Sequence, residues 1–412
     1  MKKATKIFFI SKLVILFWFV ISFFIDIPKV EFSYLGEEGL LNPFTFYDSE
    51  HFLWIAKHGY TNNHLYAFFP LYPFLIRLLG YIGLSYPLAG VLISWICSWG
   101  VSILLYKMLP EEKKTLGVWL WCLSPIAIYS ISVYTESLFV LLSLFAWKLY
   151  KDEKYILAGI FAGLSALTRN IGIVFVGMII LDELRKKKRL KEILHFSIPS
   201  ISIGSIYPLY LWITTGDIFK FATAQSEWGR SSFTPWSAII RDIKFLFSGS
   251  GQEIAIVLNI VVLIFALYLV FKNIKKEPIL SVFILLGSIL PLFAPATMGN
   301  LPSTTSLFRY IFGMFPIYFF ILNMNINEKN KKYFYTMYLF TMGIVTTLVF
   351  LKRFVGWSLP HLTLRFEVGA SCFIHRAWKQ VLSDVHKRNF GGFPPYNSSP
   401  SFTSFRGGSI LA

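Results

Sequence analysis

Charge is what this sequence is short of. Asp, Glu, Lys and Arg make up 15% of its 412 residues, where a soluble domain carries about 25%. So few charges cannot cover the water-facing surface of a body this large. Cysteine is nearly absent: Cys97, Cys122 and Cys372 are widely spaced, and the first two lie in apolar runs. That pattern fits neither a disulfide framework nor a zinc site. There is also no internal repeat, no low-complexity linker, no Gly-rich phosphate loop and no Ser-His-Asp order.

What the chain has instead is 55% hydrophobic and 18% aromatic residues, arranged in apolar runs. Runs of about 20 residues suffice to cross a hydrocarbon core of ~30 Å, and they recur throughout. The expected fold class is therefore all-α, a polytopic transmembrane helical bundle. The formal net charge of +17 would suit nucleic acid, but the excess sits in short clusters between apolar runs: Lys2-Lys3-Lys6, Arg185 to Lys191, Lys272 to Lys276 and Lys329 to Lys332. Positive-inside bias produces this pattern. A nucleic-acid partner is not expected, because no basic groove with interleaved aromatics accompanies it.

Candidate spans are 7–25, 88–109, 115–131, 133–150, 155–181, 194–214, 253–272, 279–295, 307–324 and 334–351. The first reads as an uncleaved helix with its N-terminus in the cytosol, since its core is long for a signal and no small-x-small site follows it. Segment 66–85 is ambiguous, interrupted by Pro70, Pro73, Arg77 and Gly80. If 66–85 does not cross, and if 155–181 is two short spans broken near Thr168-Arg169-Asn170, the Lys-rich loops at 110–114, 151–154, 182–192, 273–277 and 325–333 all fall on the cytosolic side. The total is then eleven crossings. Residues 26–87, 215–252 and 296–306 lie outside and hold most of the unusual polar residues, so the functional face is expected there. From about Ser358 the sequence turns polar and turn-rich. Residues 1–355 are therefore read as the membrane domain and 356–412 as a weakly ordered tail.

Phe46 to Tyr60 suggests a short interfacial helix, with Asp48, Ser49 and Glu50 at its N-terminus and Gly59 as its stop. The acidic group can be a simple cap, or a carboxylate at the membrane surface that acts as a general base. The aromatic and proline run from Asn63 to Pro73 either shapes a pocket or forms an interfacial belt. Arg169, in the middle of a long apolar run, is costly there and therefore expected to be functional.

Taken together, these segments resemble the PIG-V family of mannosyltransferases. The similarity rests on Asp48-x-x-His51-Phe52-x-x-Ile55-Ala56-x-x-Gly59-Tyr60, then Ala67-Phe68-Phe69-Pro70-Leu71-Tyr72-Pro73. It continues through Ala166-Leu167-Thr168-Arg169-Asn170-Ile171-Gly172, Gln225-Ser226-Glu227-Trp228-Gly229-Arg230 with Pro235-Trp236, and Ser306-Leu307-Phe308-Arg309-Tyr310 with Phe315-Pro316. Tyr47 stands where many members have Trp, and Asn170-Ile171-Gly172 is one residue longer than the eukaryotic spacing.

The resemblance implies a GT-C type fold and an inverting transfer of mannose from a polyprenyl (dolichyl) phosphate donor to a glycolipid or glycan acceptor. A phosphate leaving group needs no protonation, so one carboxylate is enough. Asp48 is the implied base, with Glu50 as the nearest substitute. Arg169, Arg309 and Arg230 suit phosphate oxygens, and His51, Tyr60, Asn170, Gln225, Trp228 and Tyr310 complete the implied substrate-binding set. No cofactor is implied, and no metal is expected: His51 and His64, thirteen positions apart, lack a ligand-type spacing. A nucleotide-sugar donor is not expected either. The membrane would be the plasma membrane of a bacterium or archaeon, or the endoplasmic reticulum of a eukaryote. The rival class is a transporter or flippase of lipid-linked glycans, but the related halves or matching broken helices typical of transporters are not evident.

Overall fold

A computed structural model of the protein describes residues 1–23, 41, 44–230, 234–248, 253–295, 302–324 and 328–350. The tail expected at 356–412, most of 24–43 and residues 296–301, the last two in loops expected to lie outside, fall outside the described residues. Among the described residues every regular element is helical. In chain order the α-helices are α1 (Lys2–Phe23), α2 (Asp48–His58), α3 (Leu71–Tyr81), α4 (Tyr86–Met108), α5 (Glu111–Cys122), α6 (Glu136–Lys151), α7 (Tyr155–Ala166), α8 (Ile171–Arg185), α9 (Leu190–Gly204) and α10 (Ile206–Thr215). They continue with α11 (Lys220–Thr223), α12 (Pro235–Phe245), α13 (Glu253–Asn273), α14 (Pro278–Ile289), α15 (Leu307–Phe312), α16 (Pro316–Leu322) and α17 (Glu328–Phe350).

Three helical stretches among the described residues are long and apolar enough to cross a bilayer: Tyr86–Met108, Leu190–Thr215 and Ala255–Asn273. Large apolar side chains recur on their outer faces at helical spacing, as Leu194, Ile198 and Ile201 on α9 and Val257, Val261 and Ile264 on α13. A stripe of this kind exposed to water would be an aggregation surface, and facing lipid it is at home.

The interruption expected near Thr168 lies between α7 and α8. Gly172 lets the two helices fold back closely, because a Cβ there would meet the Ser165 carbonyl at 2.5 Å. Gly159 and Gly163, one turn apart on α7, bring α9 against its backbone. Added Cβ atoms would lie 2.3 Å from the Phe196 oxygen and 2.8 Å from the Ser200 oxygen. This is the small-residue contact by which helices associate where lipid supplies no hydrophobic drive.

Two expected spans are shorter than the apolar pattern suggests. The run at 115–131 is helical only to Cys122, and 307–324 is broken between α15 and α16. Residues 123–135 form irregular backbone that is entirely buried. Such backbone is tolerated at membrane depth only where protein satisfies it, and here neighbouring side chains do so. Trp95 Nε1 donates to the Ile131 carbonyl (2.9 Å), Ser94 Oγ to that of Tyr134 (3.1 Å), and Ser137 Oγ to that of Ser130 (2.6 Å). The Val133 amide in turn donates to the Phe44 carbonyl (3.0 Å). Local turns, such as Ala127 N–H to the Ser124 carbonyl (2.8 Å) and Ser130 N–H to that of Ile126 (3.1 Å), satisfy part of the remainder, and periodicity cannot see that turns and side chains from other elements together replace the regular helical ladder.

Candidate active site

Helix α2 forms where the sequence places the interfacial helix. Its apolar face, Phe52, Leu53, Ile55 and Ala56, is buried, with Phe52 edge-on to Tyr72 at 5.4 Å. Its end is fixed twice. Gly59 adopts φ +80, a conformation that favours glycine, and Arg77 of α3 donates from Nε to the Ala56 carbonyl (2.6 Å) and from Nη2 to that of Lys57 (3.2 Å). At the other end, Tyr134 Oη donates to the Phe46 carbonyl (2.8 Å). Tyr47 is held at φ 48, a strained conformation for a non-glycine residue. This entry aims Asp48, the first residue of α2, toward the bundle.

Asp48 Oδ2 lies 2.8 Å from Nη1 of Arg309. Arg309 Nε donates to Oε1 of Glu136 (2.5 Å), and the same oxygen accepts from Nη1 of Arg169 (2.7 Å). Arg169 Nη1 also reaches Thr135 Oγ1 at 3.0 Å. Two carboxylates and two guanidinium groups thus alternate in one ion-pair chain. Glu136 is wholly buried, Arg169 and Arg309 are about nine-tenths buried, and the Asp48 side chain is 32% exposed, making it the open end of the chain. The Arg309 guanidinium lies 4.8 Å from the Tyr134 ring centre and 5.2 Å from that of Tyr129. The desolvated cation therefore faces π-electron density as well as carboxylates.

Arg309 is positioned by polar residues that carry no distinguishing local pattern. Buried Asp242 of α12 accepts the Ser303 amide (2.5 Å), the Thr304 amide (2.8 Å) and the Thr304 hydroxyl (2.6 Å). Asn259 of α13 accepts the Phe308 amide at 2.9 Å. These contacts pin the turn that leads into α15. The cluster sits at the N-terminal ends of α6 and α8, opposite the ends that carry Lys148, Lys151, Arg185 and Lys186.

One turn beyond Asp48, the His51 ring packs against Phe68 (5.0 Å), Trp228 (4.7 Å) and His64 (5.7 Å). Trp228 Nε1 donates to the His64 carbonyl (3.0 Å). Burial brings the His51 imidazole down to about 4, Asp48 opposing this and His64 adding to it. His51 is therefore neutral near pH 7. Burial alone would raise the Asp48 carboxyl, but the charge and hydrogen bond of Arg309, with Arg169 behind it, hold it below the usual carboxylate range.

Of the other residues singled out from sequence, Tyr310 lies beneath Arg169 (5.6 Å to the ring centre), and its hydroxyl is 3.4 Å from Arg230 Nη2. Arg230 also donates to the Ala294 carbonyl at 2.8 Å. Tyr60 belongs to a different group: it donates to the Phe68 carbonyl (2.7 Å) and stacks on Tyr66. Asn170 is exposed at the start of α8, and Gln225 is half-buried. Glu50 is turned ~200° around α2 from Asp48. Among the described residues no three His, Cys, Asp or Glu side chains gather as a metal site would require.

Glu136 was not singled out from the sequence, although a signal was present. Tyr134-Thr135-Glu136-Ser137 places a carboxylate inside the candidate span 133–150, and an ionisable residue at membrane depth is functional by default. That rule picks out Glu136 as readily as Arg169.

Residues 28–202, which include Asp48, Glu136 and Arg169, match the family model Mannosyltransferase (PIG-V). Curated relatives match over a similar length. GPI alpha-1,6-mannosyltransferase 2 of Mus musculus is 31% identical over 165 residues, 36% of this chain and 33% of the relative. The Homo sapiens protein of the same name is 32% identical over 160 residues, 34% of this chain and 32% of the relative. The chain spans about one third of the length of the curated relatives it matches. The matched segment holds the base candidate, the broken-helix arginine and the glutamate between them, and over residues 28–202 the chain is similar to the PIG-V mannosyltransferases.

Proposed function

We propose that the protein is a multi-pass membrane mannosyltransferase of GT-C type, with about eleven crossings, that moves mannose with inversion from a polyprenyl phosphate donor to a hydroxyl of a glycolipid or glycan acceptor. The observation that carries this is the placement of Asp48, a partly exposed carboxylate, 2.8 Å from an arginine otherwise enclosed by protein.

The chemistry follows from the charges. The acceptor oxygen attacks the anomeric carbon, its proton passes to Asp48, and the bond from that carbon to the phosphate oxygen breaks with its electron pair remaining on phosphate. The leaving group gains a negative charge, which Arg309, Arg169 and Arg230 are placed to stabilise. A phosphate arriving at Arg309 also competes with Asp48 for the guanidinium and loosens a pair that otherwise weakens the base. His51, neutral and walled by Trp228 and Phe68, offers an aromatic edge for a sugar ring beside Asp48. The relatives' printed name specifies an α-1,6 linkage, so a primary 6-hydroxyl of a mannose-bearing glycolipid is the first acceptor to try. The membrane would be the endoplasmic reticulum, or the plasma membrane in a prokaryote, with the cluster on the face away from the Lys-rich loops.

Asp48→Asn is nearly isosteric and removes the base. A general base contributes ~10²- to 10⁴-fold, so purified protein given polyprenyl-phosphate mannose and a glycolipid acceptor should lose turnover by that order. Near-normal turnover in Asp48→Asn with a dead Glu50→Gln would move the base to Glu50. Full activity in both would reject a transferase acting through α2.

A further inference from the structure

Glu136 Oε1 accepts hydrogen bonds from both Arg169 and Arg309, while Oε2 is buried and has no hydrogen-bond partner among the described residues. A carboxylate used only to anchor two arginines would satisfy both oxygens. Concentrating both contacts on one oxygen ties the arginines to a single point. Glu136 is also the first residue of the 16-residue α6, where the helix dipole favours its charge. Its charge is therefore favoured although the residue is wholly buried, and it faces the same guanidinium that Asp48 uses.

We propose, building on the base role given to Asp48, that Glu136 is a positioning residue which shares Arg309 with Asp48 and so limits how tightly Arg309 holds the base. The groups around the two carboxylates are Arg169 from the α7–α8 turn, Arg309 and Tyr310 from α15, Tyr129 and Tyr134 from the irregular segment, Tyr72 from α3 and His51 from α2. Only the arginines are cationic at neutral pH, since His51 is neutral. Neutralising Glu136 leaves Arg309 with Asp48 as its sole carboxylate and removes a like charge from the vicinity of Asp48. Both changes make Asp48 a weaker base, and both leave the arginines more attractive to an incoming phosphate.

The test is the pH profile of Glu136→Gln with polyprenyl-phosphate mannose and the glycolipid acceptor. Its acid limb should move down by roughly one pH unit. Turnover at pH 7 should fall roughly 10-fold, with the donor KM unchanged or lowered. Glu136→Asp, which keeps the charge, should restore the limb to the wild-type pH. Arg169→Gln provides an opposite displacement should Glu136→Gln not fold: it removes the direct pull of Arg169 on Asp48 and also frees Glu136 to draw Arg309 more strongly, so the limb moves up by more than in Arg169→Gln/Glu136→Asp, whose shorter carboxylate holds Arg309 less well. A limb that stays in place in the variant that folds, or that moves the other way, overturns the role of Glu136. So does a raised donor KM with an unmoved limb, which is what loss of a purely structural contact would give. Asp48→Asn run in parallel separates the failures, because activity surviving there would remove the base itself.

Discussion

Replacing Arg309 with methionine keeps a long, unbranched side chain and removes the charge that two acids share. Wild-type Arg309 is bonded at 2.5 Å to Glu136 and 2.8 Å to Asp48, with two tyrosine faces about 5 Å away. Removing one partner of a buried ion pair costs ~3–5 kcal/mol. Arg169 stays on Glu136 at 2.7 Å and Asp48 reaches water, so the lower end, about 3 kcal/mol, applies. Two cation–π contacts add ~1 kcal/mol or more. At about 2 °C per kcal/mol or a little less for a long chain, detergent-solubilised protein should melt roughly 5 °C or more below wild type.

The loss should depend on pH in a defined direction. In the wild type the Asp48 carboxyl is depressed, so its contribution is present above the unfolded carboxyl value and is lost as pH falls through the lower folded value. In Arg309→Met, the largest opposing charge and its hydrogen bond are gone and only the more distant Arg169 still opposes burial, so the folded carboxyl rises above the unfolded one. The variant therefore loses stability as pH rises through that raised value. Tryptophan-fluorescence melts at pH 5 and pH 8 should show a gap between variant and wild type that is clearly larger at pH 8. A gap equal at the two pH values, or below 1 °C at pH 8, would refute the shared-charge arrangement.

Arg169→Lys retains charge but cannot reproduce a planar fork; turnover should drop at least ~10-fold while the protein still inserts, as judged by yield and size-exclusion profile. Gly172→Ala places a methyl 2.5 Å from the Ser165 carbonyl, so the α7–α8 hairpin must open, with a lower melting temperature and reduced donor affinity because Arg169 moves with the turn. Because burial brings His51 down to about 4, no histidine limb near pH 6.5 should be present in the wild-type profile between pH 5.5 and 8 and absent from that of His51→Gln. Such a limb would show that the imidazole is more solvated than its packing against Trp228 and Phe68 indicates.

Local signals were legible in the sequence to different degrees. Helix α2 was readable because its acidic start, apolar face and glycine stop are contiguous. The break at Thr168 to Asn170 was readable because an arginine interrupts an apolar run. The irregular segment at 123–135 was not, since Ser94, Trp95 and Phe44, which satisfy its backbone, are distant in sequence. Glu136 and Arg309 are 173 positions apart, and their contact exists only once α6 and α15 are packed. Asp242 and Asn259 read as ordinary polar residues until the turn they hold is seen.

The buried segment between α5 and α6 has a consequence for how the protein is made. Backbone with unsatisfied amides and carbonyls cannot rest in hydrocarbon, so this stretch has no stable place in the bilayer when it first emerges. Its local turns satisfy part of it, and the rest is satisfied when it packs on Ser94 and Trp95 of α4 and on the Phe44 carbonyl before α2. Glu136, at its end, takes up position with it and then awaits α8 and, much later in synthesis, α15. The charged cluster is therefore among the last parts of the molecule to assemble, and a chain arrested before α15 would carry a carboxylate in the membrane interior without Arg309. Such a stalled intermediate is what membrane quality control would detect.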